Sequence, residues 1–222
     1  MKHRILIPVA ILAALTSCSI NEDTVDGPVD KTLYDIVTFD GNVDGHARFS
    51  FQQVNDSPLI NLVAQGELQS DDLKDGVRLY IIYIPESGLP YTSGNITLRG
   101  TAFINSGQVV EQEMNDDMSL WDRDKVYVYS LWRSGNYINL HCRLTYSSEP
   151  RTFRLTVDPA TIGNDYPDLY IHHEMASPTD NHDRGYYASW DMAPVWTLPS
   201  TRGVTIHVAN SNLPQTTFTF SK

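Results

Sequence analysis

Between Val126 and Tyr146 apolar and polar positions alternate with a period of two. Ile138, Leu140, Cys142 and Leu144 point one way, and Asn139, His141, Arg143 and Thr145 the other, which predicts a half-buried strand and excludes an amphipathic helix. Val126 to Trp132 reads as a second strand, and Ser134-Gly135-Asn136 between them is a turn, so the pair predicts a hairpin.

The same pattern recurs on either side. Upstream, Tyr34–Phe39, Ala47–Phe51, Leu59–Val63, Val77–Ile84, Asn95–Gly100 and Ala102–Ile104 read as strands. Gly41-Asn42, Asp44-Gly45, Asn55-Asp56-Ser57-Pro58, Asp75-Gly76 and Ser93-Gly94 supply turns between them. Val77–Ile84 is apolar on both faces over its second half, as a central strand would be. Downstream, Arg151–Val157 (Phe153, Leu155 and Val157 inward), Asp168–His173, Tyr186–Met192, Val204–Val208 and Thr216–Phe220 complete the set. No three-turn helix is expected after the leader. The reading is all-β: a small barrel or sandwich over residues 33–118, then a β-sandwich over 119–222. Val109 to Asp124, rich in Glu111, Glu113, Asp116, Asp117, Asp122 and Asp124, marks the boundary. A calcium loop is its alternative, although the spacing departs from the EF-hand pattern.

The first residues are of another kind. Lys2 and Arg4 precede an apolar stretch from Ile5 to Leu15 broken only by Pro8, far short of the roughly 20 residues a spanning helix needs. Leu15-Thr16-Ser17-Cys18 resembles a bacterial lipobox, which implies a signal peptide over 1–17 and a mature chain beginning at lipid-modified (palmitoylated) Cys18. Two or more acyl chains would anchor it firmly to a membrane. Residues 18–32 have almost nothing to bury and read as a flexible tether. Within it Glu22-Asp23 resembles the acidic export signal of some surface lipoproteins of Gram-negative gut bacteria, and Asp23-Thr24-Val25 one of their O-glycosylation sites.

Loss of residues 1–17 would remove Lys2 and Arg4 and leave 14 basic against 27 acidic residues. So acidic a chain repels phosphate backbones, and nucleic acid is not an expected partner. Cys142, the one cysteine besides Cys18, lies on the apolar side of its strand as a small hydrophobe.

Tyr34–Phe39, Gly76–Tyr83 and Ser93–Ile96 resemble the first domain of the NigD-like lipoproteins. Trp132–Leu140 and Ala188–Met192 are similar to their second domain, and Gly135-Asn136-Tyr137-Ile138-Asn139 is the most specific piece. The resemblance implies an OB-like barrel followed by a β-sandwich and no established enzymatic activity; the lipobox and the acidic residues after it give the expected location, the outer membrane or the cell surface. The polar loop Ser177–Arg184 departs from the family pattern.

Candidate chemistry is sparse. His172, His173 and His182, with Glu174, Asp180 and Asp183, form the densest group of metal-ligand types. Adjacent histidines on a strand point to opposite faces, however, and the His-Glu-x-x-His spacing is absent. No Gly-x-Ser-x-Gly elbow or glycine-rich phosphate loop occurs, and no cofactor is expected. Tyr186, Tyr187, Trp190 and Trp196, with Trp132, suggest stacking on sugars; Trp190 reads as core, while Tyr187 and Trp196 are the candidate glycan contacts. The expected function is a non-catalytic, lipid-anchored envelope protein that binds a protein partner, bacteriocin-related if the resemblance transfers. A carbohydrate-binding module and a metal-assisted hydrolase are the alternatives.

Overall fold

Turn chemistry and alternation close the first strands into a barrel. The computed structural model describes residues 30–113, 121–146, 151–175 and 182–222. β1 (Leu33–Val43), β2 (His46–Phe51), β3 (Ile60–Gln65), β4 (Arg78–Pro85) and β5 (Gly94–Phe103) pair in the order β1-β2-β3-β5-β4, and β1 also pairs β4 to close the ring. β3 and β5 run parallel and the other pairs antiparallel, which makes this an OB-like barrel without a free edge. Val37, Phe39, Phe49, Leu62, Leu79, Ile81, Tyr83 and Ile96 fill it.

Gly41-Asn42, expected as a turn, lies inside β1. A bulge between Phe39 and Gly41 re-aims the strand, which continues to Val43 before the turn at Asp44-Gly45. Gly41 has φ +104°, and a Cβ there would stand 2.9 Å from an Asp75 carboxylate oxygen, so glycine serves the bulge and not a reversal. The two strands expected across 95–104 are one, β5, bent by an irregularity opposite Ile82/Tyr83.

The remaining strands make two facing sheets. β6 (Asn105–Gln108), β8 (Tyr127–Ser134), β9 (Tyr137–Thr145) and β12 (Asp183–Asp191) form one, in the order β6-β12-β9-β8. β7 (Val110–Glu111), β10 (Arg151–Val157), β11 (Asp168–Met175), β13 (Gly203–Val208) and β14 (Thr217–Ser221) form the other, in the order β14-β13-β11-β10-β7. Ile138, Leu140, Cys142, Leu144 and Trp190 meet Phe153, Leu155, Val157, Leu169, Ile171 and Ile206 in one core. That is the expected β-sandwich, and the inward positions read from Ile138–Leu144 and Phe153–Val157 are buried as expected. Cys142 is wholly buried, and desolvation pushes its thiol up to about 12.

Residues 105–111 belong to these sheets: β6 pairs β12, β7 pairs β10, and Val109 between them is buried in the sandwich core. Much of the connector read from Val109 to Asp124 (114–120) lies outside the described residues, as do 1–29 with Cys18. Among the described residues the helical content is a one-turn helix, α1 (Ala193–Trp196), and a 3-10 turn at Pro159–Thr161. Among the described residues no helix is long and apolar enough to cross a membrane.

Candidate binding surface

The outer face of the β9 sheet, expected to be polar, departs from that expectation where it meets the barrel. Asn139 is 1% exposed because the barrel covers it. Arg78, at the start of β4 and itself 4% exposed, reaches across: its Nε donates to Ser189 Oγ (3.0 Å), Nη1 to Thr38 Oγ1 (2.9 Å), and Nη2 to Ile36 O and Asn139 Oδ1 (both 3.4 Å). Its guanidinium lies 4.0 Å from the Tyr137 ring centroid. Burial lowers the Arg78 pKa to about 10, so it stays cationic at neutral pH.

A second arginine holds the other side. Arg133, 6% exposed, makes a bidentate pair with Asp56 (2.6 and 2.9 Å) and donates through Nε to the Gly135 carbonyl (3.0 Å). The Asn55 N–H donates to the Arg133 carbonyl (2.8 Å) and the Gly135 N–H to the Asn55 carbonyl (2.7 Å), while Ser134 Oγ donates to the Gln52 carbonyl. The hairpin turn of the sandwich is thereby zipped to the β2–β3 turn of the barrel.

Across this junction runs a continuous ladder of rings. Tyr34 (β1) lies 6.3 Å from Tyr80 (β4), centroid to centroid, and Tyr80 stacks on Tyr187 (β12) at 4.4 Å and 22°. Tyr187 stacks on His141 (β9) at 4.3 Å and 9°; His141 meets Tyr129 (β8) at 4.6 Å, and Tyr129 meets Tyr127 at 5.2 Å. Arg143 caps the row, its guanidinium 4.3 Å from the Tyr127 centroid. Tyr34 and Tyr129 are 56% and 51% exposed. Burial among the rings lowers the His141 pKa and, with help from Tyr187, raises that of Tyr80, so both are neutral at pH 7.

This geometry bears on the expected glycan contact at Tyr187. A sugar stacks on a ring face, but Tyr187 has Tyr80 on one side and His141 on the other. Its faces are therefore taken, and the middle of the row offers edges. Tyrosine edges with phenolic hydroxyls are the chemistry of protein interfaces. Trp196, the other candidate glycan contact, is 4% exposed, packed in the sandwich core at the end of α1. It has no ring face open to a ligand.

The histidines do not converge either. His173 faces the core side beside Phe153, with Nδ1 2.8 Å from the Asp124 carbonyl and Nε2 3.2 Å from Arg151. His172 points to the opposite face, toward Glu174 (3.6 Å), and His182 stacks on Tyr146. Among the described residues no group of three or more His, Cys, Asp or Glu side chains is placed to hold a metal; Asp180 lies outside them.

Comparisons with known proteins place the fold. No family model and no curated protein matches the sequence. Among solved structures, a protein of unknown function (DUF1344) from Bacteroides vulgatus superposes with a TM-score of 0.65 at 18% identity, covering 86% of this chain and 90% of the other. A protein from Bacteroides fragilis assigned as a lipoprotein gives 0.57 at 12% identity, covering 86% and 96%. A NigD-like immunity protein from Bacteroides caccae gives 0.56 at 12% identity, covering 86% and 92%. The chain shares their fold. The barrel-plus-sandwich arrangement expected from the NigD-like resemblance is thus found in a NigD-like structure, and none of the three is named for an enzymatic activity.

Of the ladder, sequence reading singled out Tyr187 alone. Tyr127 and Tyr129 share a period-two pattern that gave a signal, but Tyr34 and Tyr80 join the row only because the barrel docks on the sheet.

Proposed function

We propose that this chain is a lipid-anchored cell-envelope protein, without catalytic activity, that binds a protein partner through the tyrosine–histidine ladder at the barrel–sandwich junction. The supporting observation is the ladder itself: six rings in one contacting row across both modules, exposed at Tyr34 and Tyr129, with the central ring faces used up on one another. Such a row is rigid and amphipathic, and loses little side-chain entropy when a partner covers it. The anchor rests on the lipobox-like Leu15–Cys18 and the tether after it, and a similar fold in a lipoprotein-assigned protein agrees with an envelope location. The outer membrane is the membrane proposed. A bacteriocin-related partner is an extension of this reading that the immunity-protein neighbour motivates.

Affinity capture from envelope fractions tests it. The partner retained by the wild-type chain should be lost from a Tyr34→Ser/Tyr129→Ser double variant with unchanged thermal unfolding. Equal recovery by both would refute the ladder as the contact. Labelled palmitate should enter the wild-type chain and not Cys18→Ser.

A further inference from the structure

A second feature of the junction is independent of the ladder. Arg78 is a buried cation whose hydrogen-bond partners, Ser189, Thr38, Ile36 and Asn139, are all neutral oxygens, and among the described residues no carboxylate forms an ion pair with it. A guanidinium carries five N–H donors and four hydrogen bonds are made, so one Nη1 N–H is left over. Burying a charge without a counter-charge is costly, and buried charges are ordinarily paired.

That spare donor has an approach. A cleft of about 250 Å³ is lined by Arg78, Thr38, Asn136 and Tyr137 with Phe51 and Leu59, and Arg78 is the one charged side chain in its wall. Thr38, which takes the other Nη1 hydrogen, lines it too, and is absent from the neighbouring cleft that Arg78 shares with Lys74, Asp75 and Asp191. The carboxylates whose charge reaches Arg78, Asp40 and Asp191, are not in the lining. The wall thus combines a cationic donor, neutral amide and hydroxyl groups, and an apolar patch.

We propose that this cleft binds a carboxylate carrying an adjacent apolar group, with the carboxylate on Arg78 and the apolar group against Phe51 and Leu59. The carboxylate brings a negative charge into direct contact, where Asp40 and Asp191 act only through space, and an ion-paired bond in a desolvated setting is stronger than those already made to neutral oxygens. Two sources share this chemistry: a small organic acid and the C-terminus of a peptide.

Isothermal titration of the full chain in detergent with N-acetyl-leucine, an N-acetylated tripeptide ending in leucine, and the amides of both tests the proposal. The acids should bind saturably and the amides should not. Binding of the tripeptide acid identifies a chain terminus as the source, and binding of N-acetyl-leucine alone a small acid. Arg78→Gln should weaken binding at least about tenfold, the equivalent of one charge-assisted hydrogen bond. Because Arg78 also holds the modules together, Leu59→Glu provides the second variant: its position is 57% exposed, so the fold should be unchanged while the added carboxylate repels the ligand. Amides binding as well as acids, no acid binding at all, or undiminished binding by Leu59→Glu would each overturn it.

Discussion

Single residues at the junction do two different jobs. Arg133 holds Asp56 and the hairpin carbonyl from a position 6% exposed, so truncation removes a buried charge network and leaves the barrel turn unpaired. Arg133→Ala should lower stability in urea unfolding, chiefly through the lost packing of the buried guanidinium and its hydrogen bond to the Gly135 carbonyl, since Asp56 is left in solvent. Asp56, on the exposed end of the same pair, should cost less when changed to Asn. Asp35 works in the opposite sense. It is held near the Tyr83 hydroxyl (2.9 Å), and desolvation, only partly offset by that hydrogen bond, raises its pKa to about 6. The folded state therefore holds a proton that the unfolded state releases. The stability this gives is present below about pH 4 and is lost as pH rises through about 6. The histidines oppose it: burial lowers the pKa of His141, His172 and His173, so their contribution is present above about 6.5 and is lost as pH falls. Asp35→Asn should raise the melting temperature at pH 7.5 and leave it nearly unchanged at pH 3.5. An equal effect at both would contradict the desolvation argument. None of this was legible in the sequence, where Asp35 is one carboxylate of many in a strand start.

At the scale of the element, the outer edge of β8 is managed at both ends. The Asn212 side chain accepts from the Val128 N–H (2.8 Å) and donates to the Val128 carbonyl (2.9 Å), standing in for a neighbouring strand, and at the other end the Asn55 backbone N–H donates to the Arg133 carbonyl while its carbonyl accepts from the Gly135 N–H. An uncovered edge is a template for pairing with another chain. Asn212→Ala should lower stability by about 1–2 kcal/mol, the cost of leaving a buried backbone pair unmade. It should also raise the aggregation rate measured by light scattering; unchanged scattering would mean the edge is blocked elsewhere. The β8–β9 turn is as constrained. Gly135 has φ +56°, and a Cβ there would run into the Gln52 side-chain oxygen, so Gly135→Ala should loosen the docking of barrel on sandwich. Alternation located this hairpin because one face packs in the core. It mis-assigned Gly41-Asn42 because a bulge and a turn draw on the same residues, and only the partner strand distinguishes them.

For the whole molecule, the sequence specified the strands well, since each module buries its own alternating faces. Trp190, expected in the core, is 1% exposed. What it concealed was the junction. Asn139 reads as an ordinary outward position and Arg78 and Ser189 carry no signal of their own; only the packing of β4 against β9 and β12 turns them into a buried network. Tyr80 and Tyr187, more than 100 positions apart, become neighbours for the same reason, so no local pattern could have joined them. The contact surface proposed for a partner is a product of this docking, and loosening the junction at Arg133 or Gly135 should weaken partner capture even with the ladder residues intact.

The central claim is that a protein partner covers the ladder. The most direct measurement is photocrosslinking in intact cells, with a benzophenone amino acid placed at Tyr34, at Tyr129, or at Tyr166, which is 40% exposed and outside the row. Positions 34 and 129 should trap the same protein while position 166 does not. Equal adducts at all three, or none at 34 and 129, would contradict the account.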